Sequence, residues 1–185
     1  LCAFSFLILI QFNKLTILLG LASMILAFSY PFMKRITYWP QLFLGLTFNW
    51  GMIMGYMSIL DQFSFEIIIL YSSAIFWTLG YDTVYGTQDV VDDEIIGVKS
   101  TSVKFKNNIK LFVSFCYFVN SALIVFLFYK KFGLNISTLI ITAYILSLMY
   151  QIIKFKRNDP KKCLEVFKIN NLSGFFLFSG IFLIN

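Results

Sequence analysis

Apolar runs close to the length needed to cross a bilayer recur along the whole chain, with only short polar stretches between them. They occupy residues 1–12, 15–32, 42–60, 65–79, 109–129, 134–153 and 172–184, the last with a start inside 166–171 left open. A helix needs about 20 apolar residues to span the hydrocarbon region. Without water to satisfy the backbone there, only helices and closed barrels cross it, and unbroken apolar runs without alternation are helical. The fold class expected is therefore all-α, a polytopic transmembrane helical bundle of about seven helices in one domain, 1–185. Composition agrees, since 13 % of residues are charged, against about 25 % in soluble domains. The lipid bilayer is thus the first partner the sequence names.

Orientation follows from lysine and arginine, which are favoured in cytoplasmic loops. Of the fifteen, the stretches after the second, fourth and sixth runs hold twelve: Lys34, Arg35, Lys99, Lys104, Lys106, Lys110, Lys154, Lys156, Arg157, Lys161, Lys162 and Lys168. The opposite loops hold three, Lys14, Lys130 and Lys131. The even-numbered loops are expected on the cytoplasmic side. The basic residues lie in short loops between apolar segments, so nucleic acid is not expected as a partner. Cys2, Cys116 and Cys163 have no metal or redox spacing, and a cysteine in or beside an apolar run reads as a small buried hydrophobe. There is no histidine, which removes the commonest general base. The chain opens inside an apolar run with no basic region ahead of it and no cleavage site after it. That does not read as a signal peptide; it reads as the remainder of a spanning helix.

Five of the nine acidic residues fall in one stretch, Gly80 to Glu94. If the fourth helix continued through it, Asp82, Tyr85, Asp89, Asp92 and Asp93 would lie within roughly a third of a turn of one another at about 100° per residue. Neighbouring carboxylates about 6 Å apart repel by on the order of 3 kcal/mol at an effective dielectric of about 20. A hard divalent cation, Mg²⁺ above all, would relieve that repulsion and leave positions open for substrate phosphates. A solvated acidic loop at the membrane surface is the alternative that spacing alone leaves open. The Lys34-Arg35 loop lies on the same side, where cations together with a metal suit a diphosphate; fixing topology is the plainer role for such a pair. In the third run, Gly51 and Gly55 have the spacing of closely packed helices. Asn49 is a polar group inside hydrocarbon, serving either as a hydrogen-bond partner to a neighbouring helix or as a cavity wall.

Two stretches carry a family resemblance. One is Tyr30-Pro31-Phe32-Met33-Lys34-Arg35-Ile36-Thr37-Tyr38-Trp39-Pro40-Gln41, continuing through Leu44-Gly45 and Asn49-Trp50. The other is Asp82-Thr83-Val84-Tyr85 with Gln88-Asp89-Val90-Val91-Asp92-Asp93 and Ile96-Gly97-Val98-Lys99-Ser100-Thr101. Phe167, Asn170-Asn171, Gly174 and Gly180 extend it more weakly. The chain resembles the UbiA family of intramembrane prenyltransferases, and within it the branch that prenylates 4-hydroxybenzoate in ubiquinone biosynthesis. The resemblance implies a ring of nine transmembrane helices, of which the seven runs would be the third to ninth. It implies Mg²⁺ as cofactor, polyprenyl diphosphate and 4-hydroxybenzoate as substrates, and a bacterial or mitochondrial inner membrane with the site facing cytoplasm or matrix. Asp89 and Asp93 fall at the metal-binding pair of the second Asp-rich motif, with Asp82 and Tyr85 just upstream. Lys34, Arg35 and Lys99 fall where diphosphate or aromatic carboxylate is met, and Asn49 joins them as substrate-binding. Asp82, Asp89 and Arg35 are the catalytic candidates: the carboxylates for loss of the ring proton, the guanidinium for the benzoate. The family's first Asp-rich motif is not found before Tyr30. Half of the metal site is then missing and the chain is expected to be inactive alone, which leaves three readings: a truncated piece of a complete enzyme, one half of a split enzyme whose other half supplies the motif, or a non-catalytic remnant. A transporter would call for ionisable residues at mid-membrane or an internal repeat, and neither is seen.

Overall fold

The computed structural model describes residues 2–184. Among these, the regular structure is helical throughout: α1 (Cys2–Leu9), α2 (Lys14–Ile36), α3 (Pro40–Phe48), α4 (Trp50–Leu60), α5 (Phe65–Gly86), α6 (Val90–Ile96), α7 (Thr101–Lys104), α8 (Ile109–Phe128), α9 (Ile136–Lys154) and α10 (Pro160–Phe182). Five stretches are long and apolar enough to cross a membrane: Lys14–Ile36, Pro40–Leu60, Phe65–Ile96, Ile109–Lys131 and Ile136–Lys154. This refines the expectation of about seven. Helix α1 has eight residues, about 12 Å at 1.5 Å per residue, too short for a bilayer of about 30 Å. Helix α10 begins at Pro160 rather than near Leu172 and has 23 residues, its first half bearing Lys161, Lys162, Glu165 and Lys168. Asp159 caps it, accepting from the Lys162 N–H, and Pro160 occupies the first turn, where its missing N–H costs nothing.

Large apolar side chains such as Ile25 (73 % exposed), Phe118 (71 %) and Ile153 (73 %) line the outside, as suits a surface solvated by lipid. The interior between α5, α8, α9 and α10 is partly polar. Asn120 donates to the Ser73 carbonyl and hydroxyl, each at 3.0 Å, and accepts from Tyr144 at 2.7 Å. Tyr117 donates to Gln151 at 2.9 Å, and Gln151 donates to Ser173 at 2.9 Å. Such bonds hold helices together where burial of apolar surface from water no longer drives association. Helix α5 is the centre of the bundle, packing most extensively on α8 and also on α3 and α10. At Gly80 a Cβ would lie 2.5 Å from the Tyr117 ring, so glycine sets the closeness of that packing. Gly51 and Gly55 behave otherwise: among the described residues nothing lies within 4 Å of a Cβ built on either. Their stripe faces out of the bundle, because Asn49 breaks the third run and re-aims α4. Its side chain donates to the Gly45 carbonyl at 2.8 Å, competing with the helix ladder.

The two ends differ in charge as expected. At one end the Lys99 N–H donates to the Lys34 carbonyl at 2.9 Å, tying the loop after α6 to the end of α2. At the other, Asn13 donates to the Met57 carbonyl at 2.7 Å, tying the start of α2 to the end of α4.

Candidate functional site

The acidic stretch is not one helix. Helix α5 ends at Gly86, a single 3-10 turn covers Thr87–Asp89, and α6 starts at Val90. The cause lies downstream. A Cβ at Gly86 would stand 2.7 Å from Ser102 Oγ, and Ser102 itself donates to the Thr83 carbonyl at 2.8 Å. Thr83 and Thr101 share a hydroxyl bond at 2.7 Å, while buried Gln41 accepts from the Thr101 N–H at 2.9 Å. Ser100 caps α7 through the Val103 N–H. The short α7 is thereby clamped against α5 and α3, and the acidic turns fold over it. The expected single stripe of carboxylates is corrected accordingly: Asp92 is exposed and turned away, whereas the break brings Asp82, Asp89 and Asp93 to one cavity.

That cavity holds about 150 Å³ and is lined by Tyr30, Lys34, Gln41, Asp82, Tyr85, Gly86, Asp89, Asp93 and Ser100, among others. Asp82 and Asp93 are half-buried and Asp89 is exposed. None of the three makes an ion pair among the described residues, where Glu94 pairs with Lys106 and Glu165 with Lys154. Lys34 is the cation whose field both Asp82 and Asp93 feel. Tyr30 and Lys34, one helical turn apart, share a face of α2.

Of the residues singled out from the sequence, Lys34, Asp82, Tyr85, Asp89 and Asp93 therefore converge. Arg35 does not line the cavity and is exposed. Lys99 is tied down beside it: its ammonium donates to the Ile36 carbonyl at 3.2 Å and lies 5.7 Å from the centre of the Tyr38 ring. Asn49 stands deeper, lining a second cavity of about 290 Å³ with Trp77, Thr78, Tyr81, Phe167, Asn170 and Asn171. There its amide donates to Thr78 at 2.8 Å, while Asn170 accepts from the Trp77 indole at 3.0 Å. An aromatic wall joins the two cavities. Trp77, Tyr81 and Tyr85 recur every fourth residue on α5, and Phe167 of α10 lies 5.9 Å from the Tyr81 ring and 4.8 Å from the Tyr85 ring. Sequence reasoning gave no site role to Tyr30, Gln41, Tyr81 or Asn170. The i, i+4 spacing of Tyr30 with Lys34 and of Tyr81 with Tyr85 was the available signal.

For a metal, the donor set has the right chemistry and only part of the number. Carboxylate and phenol oxygens suit a hard divalent cation. Among the described residues no three acidic, cysteine or histidine side chains approach closely enough to form a metal cluster. Asp82, Asp89 and Asp93 line one cavity and offer oxygen donors, but do not by themselves make a metal site.

Fold and site together define a polytopic membrane protein, an all-α bundle with an acidic cavity at its positively charged end. The chain belongs to the UbiA prenyltransferase family, whose sequence pattern it matches over residues 1–179. It is 40 % identical over 185 residues to the mitochondrial 4-hydroxybenzoate polyprenyltransferase of Bos taurus, covering 96 % of this chain and 48 % of that protein. It is 37 % identical over 183 residues to the 4-hydroxybenzoate octaprenyltransferase of Psychromonas ingrahamii, covering 97 % and 62 %. The chain thus spans roughly half to three-fifths of the length of these curated relatives. The apo structure of a UbiA homolog from Aeropyrum pernix K1 superimposes with a TM-score of 0.80 at 20 % identity, over 98 % of this chain and 68 % of that one. At that identity the likeness establishes the fold.

Proposed function

We propose that this chain carries the diphosphate half of a site that transfers a polyprenyl group from polyprenyl diphosphate to the ring of 4-hydroxybenzoate, in the synthesis of ubiquinone. The observation that carries the reading is three carboxylates without ion-pair partners around one cavity, beside Lys34, at the mouth of a membrane bundle. Family membership and the names of the relatives point the same way. Asp89 and Asp93 would hold Mg²⁺, which when bound draws negative charge from the diphosphate. Lys34 and the Tyr30 hydroxyl receive the remaining phosphate oxygens, a role suited to a compact ammonium.

In the reaction the allylic C–O bond breaks and its electron pair leaves with the diphosphate. The ring carbon ortho to the phenol hydroxyl then forms the new C–C bond and loses its proton, for which Asp82 or Asp89 is the acceptor. Tyr81, Tyr85 and Phe167 stand between the two cavities, where aromatic faces favour a developing cation. The deeper cavity, with Asn49 on its wall, continues the substrate space beyond them. The isoprenoid tail lies among apolar helices, gaining about 0.8 kcal/mol per CH₂. The gathering of basic residues at this end supports a mouth facing the cytoplasm or matrix, in a bacterial or mitochondrial inner membrane. The other half of the metal shell belongs to a first Asp-rich motif, on a preceding stretch or a separate N-terminal polypeptide.

Arg35 is assigned to the benzoate carboxylate, one residue beyond Lys34. The test is transfer kinetics in membranes. Asp93→Asn should lower kcat/KM by on the order of 100-fold or more, as loss of a preorganised charged group does. Arg35→Ala should raise KM for 4-hydroxybenzoate and leave that for the diphosphate unchanged. Transfer indifferent to Asp93→Asn removes the site assignment, and equal effects on both KM values remove the role of Arg35.

A further inference from the structure

At the same charged end, but on other helices, a groove of about 350 Å³ opens between the start of α8 and the end of α9. Lys106, Lys110 and Arg157 line it together with Asn108, and Phe155 forms part of its wall. No acidic residue is among its lining residues. Of the basic residues around it, Lys106 pairs with Glu94, Lys154 pairs with Glu165, and Lys104 lies 4.5 Å from the centre of the Trp39 ring. The side chains of Lys110 and Arg157 make no ion pair, hydrogen bond or ring contact among the described residues. Two cations, one in the first turn of α8 and one in the loop after α9, therefore share one groove without a counter-charge. A topological preference for basic loops accounts for their side of the membrane. It does not account for their convergence.

The depth of the groove is set by the helices. Helix α8 starts at Ile109 and α9 ends at Lys154, so it lies where apolar helix surface gives way to loop. Just beneath it Leu111 is 71 % and Ile153 73 % exposed. A ligand that fits is anionic above and apolar below.

We propose that this groove binds the phosphodiester headgroup of an anionic phospholipid, with Lys110 and Arg157 on the phosphate and the acyl chains along α8 and α9. Basic pockets between transmembrane helices recognise acidic headgroups by this chemistry, and each lysine or arginine near such a surface is worth about fivefold in affinity. The site is separate from the acidic cavity and does not depend on the reaction proposed there.

The test is native mass spectrometry of the full chain released from micelles doped with phosphatidylglycerol, phosphatidylcholine or inorganic phosphate, with thermal unfolding in the same mixtures. Phosphatidylglycerol should remain bound and raise Tm, and phosphatidylcholine should do neither. The double variant Lys110→Gln/Arg157→Gln should bind phosphatidylglycerol on the order of 30-fold more weakly. Lys110→Arg should retain binding, as should Lys130→Gln/Lys131→Gln at the opposite end. Equal retention of the two lipids overturns the proposal. So does undiminished binding by the groove variant, which would make the attraction one of overall charge. Stabilisation by inorganic phosphate equal to that by the lipid overturns the lipid assignment in favour of a simple anion site. If the double variant fails to fold, the loss of selectivity expected in Lys110→Gln alone decides the matter by the same comparison.

Discussion

Asp82, Asp89 and Asp93 sit around one cavity without a cation in contact, and like charges so placed act against the folded chain. Residues kept at such a cost are expected to trade stability for binding. Asp93→Asn should therefore leave Tm unchanged or raise it in the absence of divalent cations, while abolishing diphosphate binding. A Tm lowered by several degrees would mean instead that Asp93 supports the fold. Asp92→Asn is the matched control: Asp92 is exposed and outside the cavity, and neither property should move. This division was not legible in the sequence. Counting 100° per residue put Asp92 on the same stripe as the others, and only the break after Gly86 separates them.

Elements here are set as much by what packs on them as by their own residues. The apolar periodicity of α5 was plain, but its end at Gly86 is dictated by Ser102, sixteen residues later and held in turn by Thr83. The start of α10 is legible in Asp159-Pro160, a cap followed by a first-turn proline, whereas the apolar run alone begins a dozen residues later. Gly51 and Gly55 have the spacing of packed glycines, yet the turn at Asn49 points them outward. Two predictions belong at this scale. Gly80→Ala places a methyl 2.5 Å from the Tyr117 ring and should cost about 1–3 kcal/mol, the range for overpacking; an unchanged Tm would show that α5 and α8 separate freely. Thr83→Val and Thr101→Val should each cost about 1 kcal/mol, and the double variant little more than either, since removing both partners leaves no orphaned hydroxyl. Additive losses would mean that the 2.7 Å bond between them does not couple α7 to α5.

For the whole molecule, hydropathy and the lysine–arginine bias were enough to foresee an all-helical bundle with its charged loops gathered at one end. They were not enough to place the cavity, which depends on a clamp of Gln41, Thr83, Thr101 and Ser102 whose members are far apart in the chain. In sealed vesicles, cysteines introduced at Lys106, Arg157 and Asp92 should react with an impermeant thiol reagent from one side and a cysteine at Lys130 from the other. Labelling of Lys130 and Asp92 from the same side would break the topology on which the site rests. The central claim is that the acidic cavity is half of a metal–diphosphate site. Electron paramagnetic resonance of Mn²⁺, standing in for Mg²⁺, tests it most directly on the reconstituted chain titrated with geranyl diphosphate. The account predicts weak Mn²⁺ binding by the chain alone, strengthened at least tenfold by the diphosphate and lost in Asp89→Asn/Asp93→Asn. Mn²⁺ binding that ignores both the diphosphate and the two substitutions would contradict it.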